Sequence, residues 1–443
     1  MQDIINAVEK YRDLMLYAER YIWNNPETGF REIKTSKYME QEFEKLGYNL
    51  IKAGDIPGFY TVIDTGRIGP EVLVLGELDS LIVENHPEAN KETGYVHACG
   101  HNVSCATLLG LAGALKDENI LSKLSGRIRL CAVPAEELIE IDFRSGLKEK
   151  GIIKYLGGKT EFLHRGYFDG VDMAFMVHAN TNYATFKGAV GCIAKVIKYK
   201  GKSAHAGSSP WKGKNALYAA TQGLTAVNAL RETFKEQDKI RFHPIITNGG
   251  DVVNAIPELV TIETFVRGAT YDAILDANKR INQALIGSAL SIGVQIEIVD
   301  TPGYSPLVSD DEMNRLIKEC ADEIIPEENF YLSYDSITGS TDMGDLTMIM
   351  PAIHAYSGGI EGNSHSMNYF ITDPERAVIK STKMQLLFLT KLLENNAEKA
   401  KEIIKNFKPT FNSKEEYLNF VDKINKSGDR IIYGEDKIEI KVD

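Results

Sequence analysis

The chain has 443 residues, 43% of them hydrophobic and 25% charged, with a formal net charge of -12. That length exceeds one ordinary hydrophobic core and predicts two domains, while the acidic balance excludes a nucleic-acid or anionic-membrane surface, which needs clustered Lys and Arg. Scattered, unpaired cysteines (Cys99, Cys105, Cys131, Cys192, Cys320), mixed charges from Met1 onward and no uncharged apolar run of roughly 18 residues predict a cytoplasmic protein without signal peptide or membrane span.

Ile4, Ile5, Val8, Tyr11, Met15, Ala18 and Ile22 recur at helical spacing and predict a first helix that stops at Asn24-Asn25-Pro26. Thr35 reads as the N-cap of a second helix, which carries Tyr38, Met39, Phe43 and Leu46 and closes at Gly47. Residues 59–64 and 71–78 are β-rich and separated by Gly66, Gly69 and Pro70, which predicts neighbouring strands joined by a turn. A buried helix over 103–116, a strand over 127–133 and a strand over 171–177 ending on His178 continue the alternation of an α/β sheet, with its chemistry at strand ends. From Gly188 the rhythm changes to strand 190–200, helix 215–234, strands 240–247 and 259–267, helix 271–286 and strand 294–299. That β-α-β-β-α-β order is ferredoxin-like. The expectation is a discontinuous α/β domain over 1–187 and 305–395, with helices near 310–325 and 374–393, interrupted by an inserted α+β domain over 188–304. Residues 396–443 form a Lys- and Glu-rich extension with no assigned role, alternating only over 437–442.

The chemistry gathers around Tyr95-Val96-His97-Ala98-Cys99-Gly100-His101-Asn102. In an extended segment residues two apart point the same way, so Cys99 and His101 present sulfur and nitrogen to one point. Such a pair suits a metal ion, and equally an inert thiol beside a hydrogen-bonded imidazole. Candidate partners all lie at or just beyond strand ends: Asp79, the adjacent carboxylates Glu136 and Glu137, His178, and His365 in the glycine-rich run from Gly358 to Ser366. Adjacent carboxylates are costly unless a cation or proton relieves them. Any one of these residues fits a satisfied loop position; together, at the ends of one sheet, they point to a shared site.

The ordered set Asn25-Pro26-Glu27-Thr28-Gly29-Phe30, Glu77-Leu78-Asp79-Ser80-Leu81, His97-Ala98-Cys99-Gly100-His101-Asn102, Ala135-Glu136-Glu137, Val177-His178 and Ser364-His365-Ser366 resembles the metallopeptidase family of aminoacylases and glutamate carboxypeptidases, in its amidohydrolase branch. Cys-Gly-His-Asn, Asn254-Ala255-Ile256-Pro257 and the run from Gly339 to Asp345 are most similar to the aminobenzoyl-glutamate hydrolase and β-alanyl dipeptidase group. The resemblance spans about Asn25 to about Leu393. It implies two divalent metal ions per subunit on Cys99, His101, Glu137, His178 and His365, with Glu136 as general base and Asp79 beside the ligands. Zinc is the first expectation for a thiolate with imidazoles, with manganese, cobalt or nickel as alternatives. The inserted domain becomes a dimerisation or lid domain, whose His205 enters the partner subunit's site and stabilises the oxyanion, while Asn254 and Arg267 hold the substrate's carbonyl or carboxylate. A homodimer or higher homo-oligomer acting on a dipeptide or other small amide follows.

For other residues the plain structural reading comes first: His97 as support for its loop, His86, His164 and His243 as surface or turn residues, His354 and Cys105 as packed. The sequence departs from the branch where Ser80-Leu81-Ile82 replaces Ala-Leu-Pro, where Leu138 to Arg144 replaces a glycine-rich segment, and at Ala179. Glu140 and Asp142, close to the catalytic pair, raise an amine-bearing substrate as one hypothesis and a solvated acidic turn as the other. Two further functions stay open: a hydrolase with Cys99 as nucleophile, and a non-catalytic or partner-dependent subunit of a hetero-oligomeric amidohydrolase.

Overall fold

Val72 to Leu75 and the runs Arg127–Val133 and Met173–Ala179 are apolar at nearly every position, the pattern of strands covered on both faces. In the computed structural model, which describes residues 1–442, they form the centre of one of two compact units. This first unit comprises Met1–Gly188, Leu307–Ile337 and Thr341–Lys414. Its nine-stranded sheet runs Ile51–Lys52, Phe59–Asp64, Arg127–Val133, Glu71–Glu77, Met173–Ala179, Ala352–Ser357, Tyr183–Ala189, Leu307–Val308, with Phe330–Ile337 also paired to Tyr183–Ala189. The four strands from Arg127–Val133 to Ala352–Ser357 are mutually parallel. Their carboxyl ends therefore lie along one edge of the sheet, the edge where open α/β sheets hold ligands.

Phe59–Asp64 and Glu71–Glu77, expected as neighbours, are separated by Arg127–Val133, antiparallel to the first and parallel to the second. The single first helix is two, Gln2–Glu9 and Arg12–Trp23. Thr35 lies inside the helix Ile33–Lys45 rather than capping it. The carboxylate of Glu27 does the capping, accepting from the amides of Lys34 and Thr35 at 2.9 Å each. The helix His101–Ala114 is buried at every position and crosses behind the strands. Gly110 and Gly113 let it approach Met15 and Tyr11, where a Cβ would overlap their side chains.

The second unit comprises Ala189–Pro306, Thr338–Ser340 and the chain from Glu415. Gly191–Lys200, Leu259–Gly268 and Gln295–Pro302 form the centre of its antiparallel sheet, and the helices Ala216–Leu230 and Tyr271–Ile292 share its apolar cluster. The expected strand 240–247 is broken into Arg241–Phe242 and Ile245–Asn248, because Pro244 has no amide to give the ladder. Both pieces pair with Leu259–Gly268. The carboxyl-terminal extension has structure of its own: helices Glu398–Asn406 and Lys414–Ile424, then a strand Lys426–Asp429 that joins Gln295–Pro302 at the edge of the second unit's sheet. No helix among the described residues is long and apolar enough to cross a membrane.

Candidate active site

Each parallel strand hands one part to the common edge. Glu71–Glu77 leads to Asp79, Arg127–Val133 to Glu136 and Glu137, Met173–Ala179 carries His178, and Ala352–Ser357 leads to the loop of His365. The Cys99 segment closes over this edge through Gly100, whose left-handed φ of 83° starts the helix His101–Ala114. A side chain at Gly100 would collide with the Tyr369 hydroxyl at 2.3 Å and Ala179 at 2.7 Å, so the glycine of Cys-Gly-His is required sterically.

All five predicted ligands come together. Cys99, His101 and His178 offer donor atoms mutually within 4.8 Å, and so do Cys99, Glu137 and His365, which makes the Cys99 thiol common to two donor groups. The ring orientations suit this use. His101 Nδ1 donates to the Asp79 carbonyl at 2.9 Å and lies 3.1 Å from Asp79 Oδ1, and His178 Nδ1 donates to the Ala179 carbonyl at 2.8 Å. In both rings the lone pair then sits on Nε2, with that of His178 3.4 Å from the Cys99 sulfur. His365 Nε2 stands 2.9 Å from Glu137 Oε1. The His365 backbone, at a φ of 64°, is tied to the Cys99 segment by an amide bond to Ala98 O at 2.8 Å.

The carboxylate turn is held from four sides. Ala135 has a left-handed φ of 56°; Glu32 accepts its amide at 2.7 Å, and the Gly158 amide donates to its carbonyl at 3.0 Å. Asp79 Oδ2 accepts the Glu137 amide at 2.8 Å, so one carboxylate orients both His101 and the Glu137 backbone. Arg144, fully buried, donates to the Glu137 and Leu156 carbonyls. Glu140 turns away to accept from Thr28 and to pair with Arg31 at 3.6 Å, so its charge is already answered within the chain.

The electrostatics are those of carboxylates, a thiol and imidazoles crowded together out of water. Burial, then Glu77, Glu137 and Asp342, push Glu136 well above the ordinary carboxyl range. Burial and Glu137 also push up the Cys99 thiol, but His178 and the hydrogen bonds from His101 and His178 outweigh them and hold it at about 6. Buried His101 Nε2 has no hydrogen-bond partner, and Glu137 Oε1 has only the His365 ring beside it. Orphaned acceptors and crowded anions at such a place fit divalent cations bound by sulfur, imidazole and carboxylate.

Three residues not assigned from the sequence belong here. Glu77 lies 3.2 Å from His101 Nε2, and its other oxygen accepts from Lys159 at 2.5 Å, with Lys159 also bonded to Asp342. Glu77 was legible in principle, being a charged residue at the end of an apolar strand, two positions before Asp79. His97 is buried, without a hydrogen-bond partner on either ring nitrogen among the described residues. His86 is no surface residue: buried, it bonds to Tyr369 O at 2.8 Å. His354 and Cys105 are packed, the Cys105 thiol donating to the Glu77 carbonyl at 2.9 Å.

His205, Asn254 and Arg267 belong to the second unit. A bridge between His205 and Ala255 brings the loops of His205 and Asn254 together. His205 is exposed, and its Nδ1 accepts the Gly207 and Ser208 amides at 3.1 Å each, which puts the ring proton on the outward Nε2. Arg267 donates to Ser340 Oγ at 3.2 Å.

Residues 73–391 match the model of peptidase family M20/M25/M40. The chain belongs to that family. Among its curated relatives are the Xaa-Arg dipeptidase of Mus musculus, 29% identical over 62% of this chain and 60% of that protein, and a p-aminobenzoyl-glutamate hydrolase chain of Escherichia coli K12, 27% identical over 66% of this chain and 59% of that protein. The chain thus spans about three fifths of the length of these two relatives. The Bacillus subtilis YXEP protein, a dinuclear metal-binding peptidase, shares the fold with a TM-score of 0.65 at 19% identity, over 87% of this chain and 99% of that one.

Proposed function

We propose that this M20 chain hydrolyses the amide bond of a dipeptide or an N-acyl or N-aroyl amino acid, with two divalent ions, zinc first among them, and Glu136 as general base. The observation that carries the reading is the Cys99 sulfur shared by two donor groups, with Glu136 next in sequence to the ligand Glu137. Cys99, His101 and His178 would hold one ion, and Cys99, Glu137 and His365 the other. The pair would supply a water acidified toward neutral pH and a polarised scissile carbonyl.

The chain's own residues do the rest. Glu136 lies with Oε2 3.9 Å from His101 Nε2, beside both groups, and takes the proton of the attacking water. Its raised affinity for protons suits it to hold that proton and return it to the leaving amine. Asp79 keeps the His101 lone pair and the Glu137 backbone aligned. His205, with Nε2–H turned outward, donates to the developing oxyanion in the partner subunit of a homodimer, and Asn254 and Arg267 hold the substrate's carbonyl or carboxylate.

The test uses the purified, zinc-loaded chain alone with a panel of dipeptides, β-alanyl-lysine and N-aroyl-glutamate. We expect turnover that a chelator abolishes and zinc restores. We expect Glu136→Gln to lose at least about 10³ in kcat, with its bound metal unchanged, since base and oxyanion effects are typically each worth 10²–10⁴. Activity that resists chelation but not thiol alkylation would make Cys99 a nucleophile instead. No turnover without a second protein would make the chain a partner-dependent subunit.

A further inference from the structure

The two donor groups that share Cys99 do not account for Glu77. This carboxylate is 0% exposed, as is the Lys159 side chain that holds its Oε1 at 2.5 Å. Lys159 is in turn fixed by Asp342, bonded through both its ammonium and its backbone amide, the latter at 3.0 Å. The arrangement pins one oxygen of Glu77 and leaves the other, Oε2, buried and without a hydrogen-bond partner. Oε2 faces His101 Nε2 at 3.2 Å, and that nitrogen is itself buried and unpartnered. The two atoms thus face each other in a place closed to solvent. Glu77, His101 and Glu136 form a third group of donors within 4.8 Å of one another, and it joins the Cys99 group through His101.

A carboxylate oxygen this close to an imidazole nitrogen calls for a positive charge between them, a proton on the ring or a bound cation. Two donors that share one ion at about 2.0–2.2 Å each stand roughly 3–3.5 Å apart, which is the separation found here. Resting on the two-ion reading above, we propose that Glu77 is a further metal ligand: its Oε2 joins Cys99, His101 and His178 on one ion. Each ion then takes the shared thiolate and one carboxylate, but the His101 side has two imidazoles and four protein donors against three on the His365 side, while Lys159 and Asp342 act as positioning residues that keep Oε1 engaged and aim Oε2. This predicts that the His101-side ion is the tighter of the two.

The decisive measurement is a crystal structure of the zinc-loaded, unmutated chain, read together with zinc titration of the metal-free protein. We expect Glu77 Oε2 within about 2.2 Å of one ion. We also expect Glu77→Gln, which keeps the Lys159 bond through its amide oxygen, to weaken one of two zinc sites at least tenfold and leave the other within threefold. Two ions on Cys99 with Glu77 more than about 3 Å from both, or a Glu77→Gln titration that superimposes on the unmutated one, would overturn the inference and leave the two-ion reading intact. Absence of any ion at Cys99 would overturn both. Should Glu77→Gln fail to fold, the crystal structure alone decides.

Discussion

Glu19 shows how a single side chain sets conditions on the site. Its carboxylate is 2% exposed and accepts from Asn102, the residue after His101, at 2.8 Å and from Arg20 at 3.2 Å. Burial outweighs these contacts and pushes Glu19 up to about 6 from 4.5. A raised carboxyl value means the folded state holds the proton more tightly than the unfolded one, so stability is lost as pH rises from about 4.5 to about 6 and the penalty persists above. That penalty is roughly 2 kcal/mol at most. Asn102 Oδ1 is buried without a donor, and the amide nitrogen of a glutamine at position 19 could supply one. Glu19→Gln should therefore raise the melting temperature at pH 8 and leave it nearly unchanged at pH 4.5; an equal shift at both pH values would refute the argument. An aspartate at 102 would set two carboxylates against each other, which explains the amide there. At this scale Cys99, His101, Glu137, His178 and His365 were legible because chemistry-bearing types recur at strand ends. Glu77, Lys159 and Asp342 were not read as one cluster, because their partnership depends on residues 82 and 183 positions apart meeting in space.

At the scale of elements, periodicity identified most helices and strands, while pairing order and short breaks escaped it. Nothing in residues 59–78 tells that Arg127–Val133 inserts between the first two long strands, since register is settled by which faces are buried and not by proximity in sequence. The helix Lys414–Ile424 was hidden by its many charges, although Tyr417, Leu418, Val421 and Ile424 form one buried stripe. The second unit holds a further surprise within its strands: Lys195 and Asp300 are cross-strand partners, both buried, bonded to each other and joined by Asn282 at 2.7 Å from the Lys195 ammonium. Burial draws the lysine below its ordinary value, yet the ion pair persists. Removing one partner strands the other's charge in the core, whereas removing both does not. Lys195→Met should cost roughly 3–5 kcal/mol in denaturant unfolding, and Lys195→Met combined with Asp300→Leu should recover most of it. A double variant no more stable than the single one would show that the pair sustains the strand register itself.

For the whole molecule, the anionic site makes stability, metal content and pH one linked problem. In the metal-free chain burial and its acidic neighbours raise Glu136. Burial opposes the protonated forms of His101 and His365, but Glu77 and Asp79 raise the first, and bonds to Cys99 and Glu137 hold the second at about 11. Each of these groups contributes stability below its unfolded value, about 6.5 for the histidines, that is lost as pH climbs through its folded value. Cys99 runs the other way: depressed from 9.0 to about 6, it contributes above pH 9, and that contribution is lost as pH falls through 6. Between pH 7 and 9 His365 loses stability and Cys99 gains it, and His101, His178 and Glu136 are raised as well, so the metal-free protein should become less stable as pH rises. Bound zinc displaces those same protons, and its affinity grows as they leave. The rise in melting temperature on adding saturating zinc should therefore be larger at pH 9 than at pH 7. It should also scale with the logarithm of free zinc above its dissociation constant, about 2.7 kcal/mol at a hundredfold excess. Differential scanning calorimetry of the metal-free and zinc-buffered chain across that range measures this directly, and an increment that stays flat or shrinks with pH would mean that the cluster around Cys99 is not where the ions bind.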